Sequence, residues 1–589
     1  MTPPKVTPVL QIGFTGHREL APEALEPLRA ALARVIADIG QGAHQALAGG
    51  WPGLSAAQAQ AALTVRGLSA LAIGADQLAA REVLAAGWPL AAPLPFAREI
   101  YRGDFTEAQQ PDFEALLSAA ATVYELDGVP GRGDAYRAVG HLILQQSDML
   151  VAVWSGDSEK GPGGTAEVVR DARAADIPVV VIDSRPPYAI RLLTDAASLT
   201  IADIVQRLLA PPRKAGTVDE LAVYYGESRF RAPALAVRLA RLERVVLGFR
   251  RPPKAAPQED DTPPQSLSVQ APFAGLQDAL APALQAADQL AVRYAMLYRA
   301  SITLRWLAVL PSAFAALVLI YVQGPWAAPL SLIAYLTSLI TFLVGFNDSH
   351  SGWHRRFLDY RFLAEHLRYT PMMAMFGSAR TLPRLPPYQS SANSDWVNWY
   401  LRFALRKLGL VSLRRDAAFS REMGEILLVE IGGQISFYAA RTAEADLLAK
   451  RLRFATMITY FIAFGLGFLG GMLKLTGIGS VEEALAGAGG AKGTLTALIS
   501  ILFLLAGSAT IFGTIWPAIS GFRAQREYFR LSQRYAAMMR QLGQMQARLG
   551  RDGTAPGQVE RVAGEAVDAM LAEVSDWRVL IKARDFSVY

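Results

Sequence analysis

The chain has 589 residues, of which 52% are hydrophobic and only 19% charged, and its formal net charge is +6. This length allows several domains, and the apolar excess favours a chain that is partly embedded in a membrane. The absence of cysteine excludes disulfides, thiol catalysis and thiolate metal sites. Met1 to Val9 contains no apolar stretch, so we expect no cleaved signal peptide and a first domain that stays in the cytoplasm.

The first part of the chain alternates short apolar runs with helical patterns. The runs that predict strands are 9–15, 68–73, 89–95, 122–126, 149–154 and 179–182. Helical patterns follow Pro22, run from Asp76 to Ala85, and cover 166–175, with Asp76 expected to cap the second helix. Strands that alternate with helices predict a Rossmann-like α/β domain with a parallel, doubly wound sheet.

Three glycine-containing loops follow predicted strands, and such loops leave a parallel sheet at its carboxyl edge, where ligands bind. We therefore expect them to form one crevice, in which backbone N–H groups and helix dipoles favour a phosphate. The candidate ligand-binding residues are Gly13, Thr15, Gly16, His17 and Arg18 in the first loop, Gly74, Ala75 and Asp76 in the second, and Ser155, Gly163, Gly164, Thr165 and Glu167 in the third.

Each of these residues also has a purely structural interpretation. Glycine turns serve steric needs, His17 could cap a helix, and Arg18 could be a solvated surface residue. Asp76 suits an N-cap better than a ribose ligand. Glu167 could accept a ribose hydroxyl or simply favour the positive end of its helix.

The sequence motifs in these loops resemble the SLOG superfamily. They are Gly-Phe-Thr-Gly-His-Arg from Gly13, Ile-Gly-Ala-Asp-Gln-Leu-Ala from Ile73, Pro-Leu-Pro-Phe from Pro93 and Gly-Pro-Gly-Gly-Thr-Ala-Glu from Gly161. The resemblance covers residues 9–183 and implies a modified Rossmann fold that binds a nucleotide-derived ligand, such as an NAD-derived nucleotide or a cyclic nucleotide. The LOG phosphoribohydrolases of this superfamily carry Pro-Gly-Gly-x-Gly-Thr-x-x-Glu. This chain runs from Pro162 to Glu167 without the inserted glycine, which argues against hydrolysis.

Long uncharged runs occur only in the second half of the chain. Trp306 to Asn347 has no charged residue and contains the turn-forming run Gln323 to Trp326, so it predicts a transmembrane hairpin. The alternative is an apolar core hairpin of a soluble protein. Phe454 to Leu473 and Leu495 to Ile515 predict a second hairpin, which gives four transmembrane helices. Basic residues flank the spans and place both termini in the cytoplasm of a multi-pass inner-membrane protein.

The segments that follow the two hairpins are alike. Ser351-Gly352-Trp353 follows the first and Ser520-Gly521-Phe522 the second, each continuing into a basic, aromatic helix. This arrangement resembles the SLATT family, whose two-span membrane effector units occur with SLOG sensors in bacterial conflict systems. The expected domains are 1–249 for the sensor, 250–273 for a linker, 274–380 for the first two-span unit and 381–589 for the second.

These features together predict a nucleotide-sensing membrane effector of bacterial antiviral defence that forms a pore or disrupts the bilayer. Expected partners are a nucleotide second messenger, the lipid bilayer, further copies of the chain and a nucleotide-generating enzyme; no cofactor or metal is expected. The alternative is a membrane-tethered nucleotide hydrolase or N-glycosidase. A DNA-handling role is disfavoured because the first domain lacks a basic stripe with interleaved aromatic residues.

Overall fold

The computed structural model describes most of the chain. The described ranges are 2–131, 133–157, 163–193, 199–211, 219–247, 269–319, 327–378, 396–475, 528–552 and 557–584, together with a few isolated positions between them. The predicted linker at 250–273 therefore lies almost entirely outside the described residues, as does the predicted span at 495–515.

The amino-terminal half is built on an eight-stranded sheet. Its strands are β1 (Val9–Gly16), β2 (Thr64–Leu68), β3 (Leu90–Leu94), β4 (Thr122–Glu125), β5 (Met149–Val153), β6 (Val179–Ile182), β7 (Ile190–Leu193) and β8 (Leu413–Arg414). The strand order is β7-β6-β5-β1-β2-β3-β4-β8, and every neighbouring pair is parallel except β6 and β7. The α/β sheet domain predicted from the sequence is confirmed in this form, with an antiparallel strand added at one edge.

Helices cover the sheet on both faces. They are α1 (Leu25–Ala46), α2 (Ala56–Ala62), α3 (Ala75–Ala85), α4 (Arg98–Tyr101), α5 (Gln110–Ala119), α6 (Gly133–Gln146), α7 (Thr165–Ala174), α8 (Ile201–Leu209), α9 (Glu220–Gly226) and α10 (Ala234–Leu247). Strands β3, β5 and β6 are buried along their whole length, as central parallel strands covered on both faces are.

Two details of the second strand and its helix differ from expectation. The strand ends at Leu68 instead of running to Ile73, because Leu71 adopts a left-handed φ of 57° that no strand accommodates. Helix α3 begins at Ala75, and its N-cap is Gly74, without any side-chain cap. The prediction that Asp76 caps this helix was therefore wrong. Asp76 lies instead in the first helical turn and is buried.

The carboxyl-terminal half is largely helical. Its elements are α11 (Gln270–Val318), α12 (Ala327–Ser351), α13 (Trp353–Met375), α14 (Trp396–Leu408), α15 (Ala417–Leu475), α16 (Tyr528–Asp552) and α17 (Gln558–Arg584). Helix α13 packs back along α11, and α16 packs back along α15. Position 521 favours glycine, because the Cβ atom of any other residue would stand 2.5 Å from the ring of Trp306. The exit of the second predicted hairpin therefore lies against the start of the first.

The two halves are interleaved in sequence. Strand β8 pairs with β4, and helix α14 packs against β1, although both lie within the range predicted as the second two-span unit. The predicted domain boundaries stay predictions, but contacts of the sheet cross them. The sheet is completed by residues that follow the first hairpin.

Two helices within the described residues, not the four predicted, are long and apolar enough to cross a membrane. They are 327–347 in α12 and the apolar part of α15. In the most apolar stretch of each helix, at most 11% is buried in the protein. The first predicted span, which starts at Trp306, lies in α11, and its description stops at residue 319. Within this hairpin the hydroxyls of Ser312 and Ser338 are hydrogen-bonded at 2.8 Å.

Candidate functional site

The candidate site lies where the chain order of the sheet reverses, between β1 and its neighbour β5. Ligands of doubly wound sheets bind at this point, outside the carboxyl ends of the strands. Here the Nε2 atom of His17 accepts a hydrogen bond from the backbone N–H of Ser155 at 3.0 Å and lies 2.9 Å from the Ser155 hydroxyl. His17, predicted to contact a ligand, thus ties the loop after β1 to the loop after β5.

The loops after β1 and β2 pass each other with almost no space between them. A Cβ atom on Gly16 would stand 2.4 Å from the Cβ of Ala75, and one on Gly74 would stand 2.3 Å from the carbonyl oxygen of Arg18. Gly74 also has a φ of 88°, which favours glycine. The N–H of Ala75 donates to the carbonyl of His17 at 3.0 Å, so this crossing is part of the rigid frame of the crevice.

The third loop is held by Glu167, which is largely buried. Its carboxylate accepts hydrogen bonds from the N–H of Gly163 at 2.6 Å and from Nε of Arg137 at 2.7 Å. These bonds, that of Gly163 foremost, hold the pKa of Glu167 below its ordinary value. Glu167 therefore carries a negative charge and organises the loop before α7. Gly164 is the N-cap of that helix, and Thr165 is its first residue.

Arg18 is an exposed cation in the loop after β1. Its guanidinium lies over the ring of Tyr136, 4.6 Å from the centroid, and the Tyr136 hydroxyl donates to the carboxylate of Asp104. A cation stacked on an aromatic ring is held in place and keeps its positive charge, so it can still attract an anion. Arg18 is thus the described residue in the crevice best suited to contact a phosphate.

Asp76 is the least satisfied group of the crevice. Its side chain is only 6% exposed, and Oδ1 has no hydrogen-bond partner among the described residues. Burial raises the pKa of Asp76 to about 7, although Arg18 and the N–H groups of Ala72 and Gly16 oppose the shift. Burial and the nearby charge of Asp76 also raise the pKa of the Tyr101 phenol. A carboxyl with a raised pKa of this kind gains or loses its proton near neutral pH.

Most of the predicted site residues come together at this edge of the sheet, but Gly13 does not. It lies inside β1, roughly 10 Å before the end of the strand, where its missing side chain admits Ser147 and Ile143. Thr15 is also within β1, adjacent to Gly16. Sequence reasoning missed Tyr136 and Arg137 at the start of α6. Their only signal was a glycine-rich loop after a predicted strand, 128–133.

Helix α6 connects this site with the helical half of the protein. Its first turn carries Tyr136 and Arg137, and its last carbonyls, together with that of Ser147, accept hydrogen bonds from the guanidinium of Arg406 in α14. The side-chain amide of Gln146 donates to the carbonyl of Gly377, just after α13, at 2.9 Å. A helix of this length spans about 21 Å. One rigid element therefore touches both the crevice and the helices that lead to the apolar segments.

No protein-family model matches the chain, and no curated protein is significantly similar to it. What the site can do must therefore follow from its own side chains. Among the described residues, no group of three or more histidine or acidic side chains is arranged to hold a metal ion. The site instead combines the exposed guanidinium of Arg18, the amino end of α7 and the buried carboxyl of Asp76, whose Oδ1 atom has no hydrogen-bond partner among the described residues.

Proposed function

We propose that this protein is a nucleotide-sensing membrane effector, in which a phosphate-bearing signal bound at the crevice changes the state of the apolar helices. The observation that carries the proposal is that the start of α6 contacts Arg18, whereas its other end contacts Gly377 after α13 and Arg406 in α14. The resemblance of the sequence to SLOG sensors and SLATT effectors supports the same assignment and suggests bacterial antiviral defence as the setting.

The proposed ligand chemistry follows from three features of the site. Arg18 and the amino end of α7 favour a phosphate. Asp76 offers an acceptor for a hydroxyl or amino group, which a ribose or a base supplies. Because Asp76 stands in the first turn of α3, its charge opposes a phosphate at that helix. The proposed orientation puts the phosphate near Arg18 and α7 and the sugar or base near Asp76.

The membrane assignment is supported by the surface of the apolar helices. Along α12, large side chains such as Tyr335, Phe342 and Phe346 are exposed, and α15 exposes Phe454, Phe461, Phe464 and Phe468. Exposed apolar surface of this extent is unfavourable in water but not in a bilayer. The uncharged length of 327–347 matches the thickness of a hydrocarbon core.

The proposed mechanism is a shift between two states. A ligand that contacts Arg18 and the Gly163–Glu167 loop repositions the first turn of α6, and Arg406 and Gly377 receive the displacement at its other end. Moving a two-state equilibrium from about 1:99 to 99:1 requires roughly 5.5 kcal/mol of differential affinity. Several sensor domains in one oligomer supply this free energy more easily than a single domain does. We therefore propose that further copies of the chain take part.

The test is release of a dye from liposomes that contain the purified full-length protein. ADP-ribose and a cyclic dinucleotide are the probes for the two proposed ligand types, with binding followed in parallel by calorimetry. The expected result is leakage only with the probe that binds, lost in Arg18→Ala and retained in Arg34→Ala, an exposed arginine of α1. Binding without leakage, or leakage without any probe, contradicts the proposal.

A membrane-tethered hydrolase or N-glycosidase is the second candidate, and one observation favours it. A buried carboxyl whose pKa is raised to about 7, as that of Asp76 is, suits a general acid or base. Glu167 is less suited, because its carboxylate is already bound to Gly163 and Arg137. Release of free base or phosphate from the bound probe, abolished by Asp76→Asn, would favour this candidate over the sensor.

A further inference from the structure

The carboxylate of Glu167 occupies two hydrogen-bond donors of the kind that bind phosphate. One is the backbone N–H of Gly163 beside the amino end of α7, at 2.6 Å, and the other is the guanidinium of Arg137, at 2.7 Å. Backbone N–H groups at a helix N-terminus and arginine side chains are common donors to a protein-bound phosphate. A phosphate that binds at this end of α7 must therefore compete with a carboxylate that is already there.

The loop that contains Gly163 lies directly on the first turn of α6. Gly163 has a φ of 77°, and a Cβ atom at this position would stand 2.7 Å from the backbone nitrogen of Arg137 and 2.8 Å from the carbonyl carbon of Tyr136. The guanidinium of Arg18 lies over the ring of Tyr136 in the same turn, 4.6 Å from its centroid. Two arginines and one backbone donor are thus grouped around one helical turn.

Exposure and charge favour an exchange of anions at Arg137. The side chain of Arg137 is 38% exposed, whereas that of Glu167 is 10% exposed, so a ligand can reach Arg137 from solvent. A phosphate matches the fork of a guanidinium as a carboxylate does, with two parallel hydrogen bonds. The displaced carboxylate has a second cation within reach, because Nη2 of Arg170 lies 3.6 Å from Oε1 of Glu167, in the next turn of α7.

We propose that Glu167 is an internal competitor of the ligand, which the ligand phosphate displaces from Gly163 and Arg137 and turns toward Arg170. This inference rests on the nucleotide-sensing function proposed above, and it names the step that starts the response. The ion pair of Glu167 with Arg137 ties the first turn of α6 to α7. In the bound state the phosphate takes over Arg137, and that tie is released.

A second pair then remains as the pivot between the two helices. His141 and Asp171, each four residues further along its helix than Arg137 and Glu167, are 3.1 Å apart. Four residues are about one helical turn, so the two pairs lie on the same faces of α6 and α7. Loss of the first pair alone lets the start of α6 turn away from α7 while the middle of the helix stays attached. The far end of α6 carries the contacts with the helical half of the protein.

The affinity of a variant shows whether Glu167 competes with the ligand or contacts it. Glu167→Gln keeps the shape of the side chain but removes the charge that holds Arg137, so the phosphate displaces it more easily. We expect the dissociation constant to fall about tenfold, because charge-assisted hydrogen bonds to the protein are replaced by weaker neutral ones. A glutamate that accepts a ribose hydroxyl, or one that only orders the loop, predicts weaker binding instead.

The measurement is titration calorimetry of the purified full-length protein with ADP-ribose, a cyclic dinucleotide and inorganic pyrophosphate. Asp134→Asn is the matched control, because Asp134 is the other carboxylate that binds Arg137, at 3.1 Å, and its side chain is 82% exposed. We expect this control to change the dissociation constant less than about twofold. Arg137→Gln should weaken binding about tenfold or more, and combined with Glu167→Gln it should remove the gain.

Glu167→Asp is the second variant and covers the case in which Glu167→Gln does not fold. Its carboxylate is one methylene shorter and holds the two donors less well, so binding should again be tighter than in wild type. Unchanged or weaker binding of all three probes in the folded variants overturns the proposal. A gain of the same size in Asp134→Asn overturns it as well.

Dye release from liposomes that contain Glu167→Gln separates this inference from the proposed function. Leakage at an about tenfold lower probe concentration supports both, because the response follows the affinity of the sensor. Tighter binding without leakage supports the competitor and contradicts the membrane effector. Tighter binding of pyrophosphate alone supports the competitor and contradicts the nucleotide ligand. Leakage with unchanged affinity contradicts the competitor alone.

Discussion

The guanidinium of Arg406 lies 3.1 Å from the carboxylate of Asp148, and both side chains are almost completely buried. Asp148 immediately precedes β5, whereas Arg406 lies near the end of α14, beyond the first apolar hairpin. The same carboxylate also binds Arg402 at 2.8 Å and the N–H of Gln11 at 2.9 Å. This ion pair therefore fastens the helical half of the protein to the end of the sheet opposite the crevice.

Removal of one charge from this pair should be costly, because the other charge stays buried. Asp148→Asn is expected to destabilise the folded protein by about 3–5 kcal/mol. Asp112→Asn, which breaks an exposed pair with Arg81, should cost less than about 1 kcal/mol. The thermal unfolding midpoints of the purified variants give the comparison. Similar midpoints for the two variants would contradict a stabilising role of the buried pair.

The same pair predicts sensitivity to acid. Burial alone would raise the pKa of Asp148, but Arg406, Arg402 and the N–H of Gln11 hold it below the ordinary value. A carboxyl with a lowered pKa stabilises the fold above its unfolded pKa of about 4, and this contribution is lost as the pH falls through the lower folded value. Below about pH 4 the difference between wild type and Asp148→Asn should therefore shrink.

Asp76 should show the opposite dependence on pH. Its folded pKa is raised to about 7, so between about pH 4 and 7 the folded protein binds a proton that the unfolded chain has lost. Stability should fall as the pH rises through this window. Asp76→Asn cannot ionise and is expected to unfold at a higher temperature than wild type at pH 8 but at nearly the same temperature at pH 4. An equal difference at both pH values would show that ionisation is not the cause.

Two glycines with similar positive φ angles should respond differently to alanine. Gly74 and Gly87 have φ values of 88° and 74°, but a Cβ on Gly74 meets the carbonyls of His17 and Arg18, and one on Gly87 meets nothing within 4 Å. Gly87→Ala should cost about 1 kcal/mol for its backbone angle. Gly74→Ala should cost several kcal/mol in total because it also forces two loops apart. Equal thermal midpoints would refute the close crossing of these loops.

Single introduced cysteines can determine on which side of the membrane a segment lies, because the chain has no cysteine of its own. In the proposed topology, Ala327 at the start of α12 lies outside the membrane, and Arg421 in the first half of α15 lies in the cytoplasm. A maleimide that does not cross membranes should label Ala327→Cys in intact cells and Arg421→Cys only after lysis. Labelling of both in intact cells, or of neither, contradicts the proposed topology.

Five of the six strands predicted from the sequence lie within one residue of their predicted bounds at each end, and only β2 was misplaced. Strand β6 was predicted at its observed bounds, and β5 to within one residue, because continuous apolar runs mark central parallel strands. Strand β2 was misplaced since Thr64 and Arg66 interrupt its pattern. Strand β8 has only two residues and needs a partner from far away in sequence, β4, so local patterns contain no trace of it.

The position of the three loops at one edge of the sheet was predictable from the sequence, but the contacts of their side chains were not. Parallel topology alone brings the loops after β1, β2 and β5 to one edge. The partner of His17 is Ser155, and that of Glu167 is Arg137, each on a different loop or helix. Such pairings depend on distances between elements that are far apart in sequence. The Oδ1 atom of Asp76, which has no partner among the described residues, likewise depends on how tightly α3 packs, which no local pattern encodes.

The pairing of β4 with β8 also sets an order of assembly during synthesis. Domains usually fold from the amino terminus as the chain emerges from the ribosome. Leu413 and Arg414 emerge only after the whole of α12 has been made, so until then β4 is an unpaired edge with exposed N–H and C=O groups. The buried site of Arg406 also stays empty for that time. The nascent sheet therefore reaches its final form only after the first apolar hairpin has left the ribosome, and its maturation waits for that hairpin.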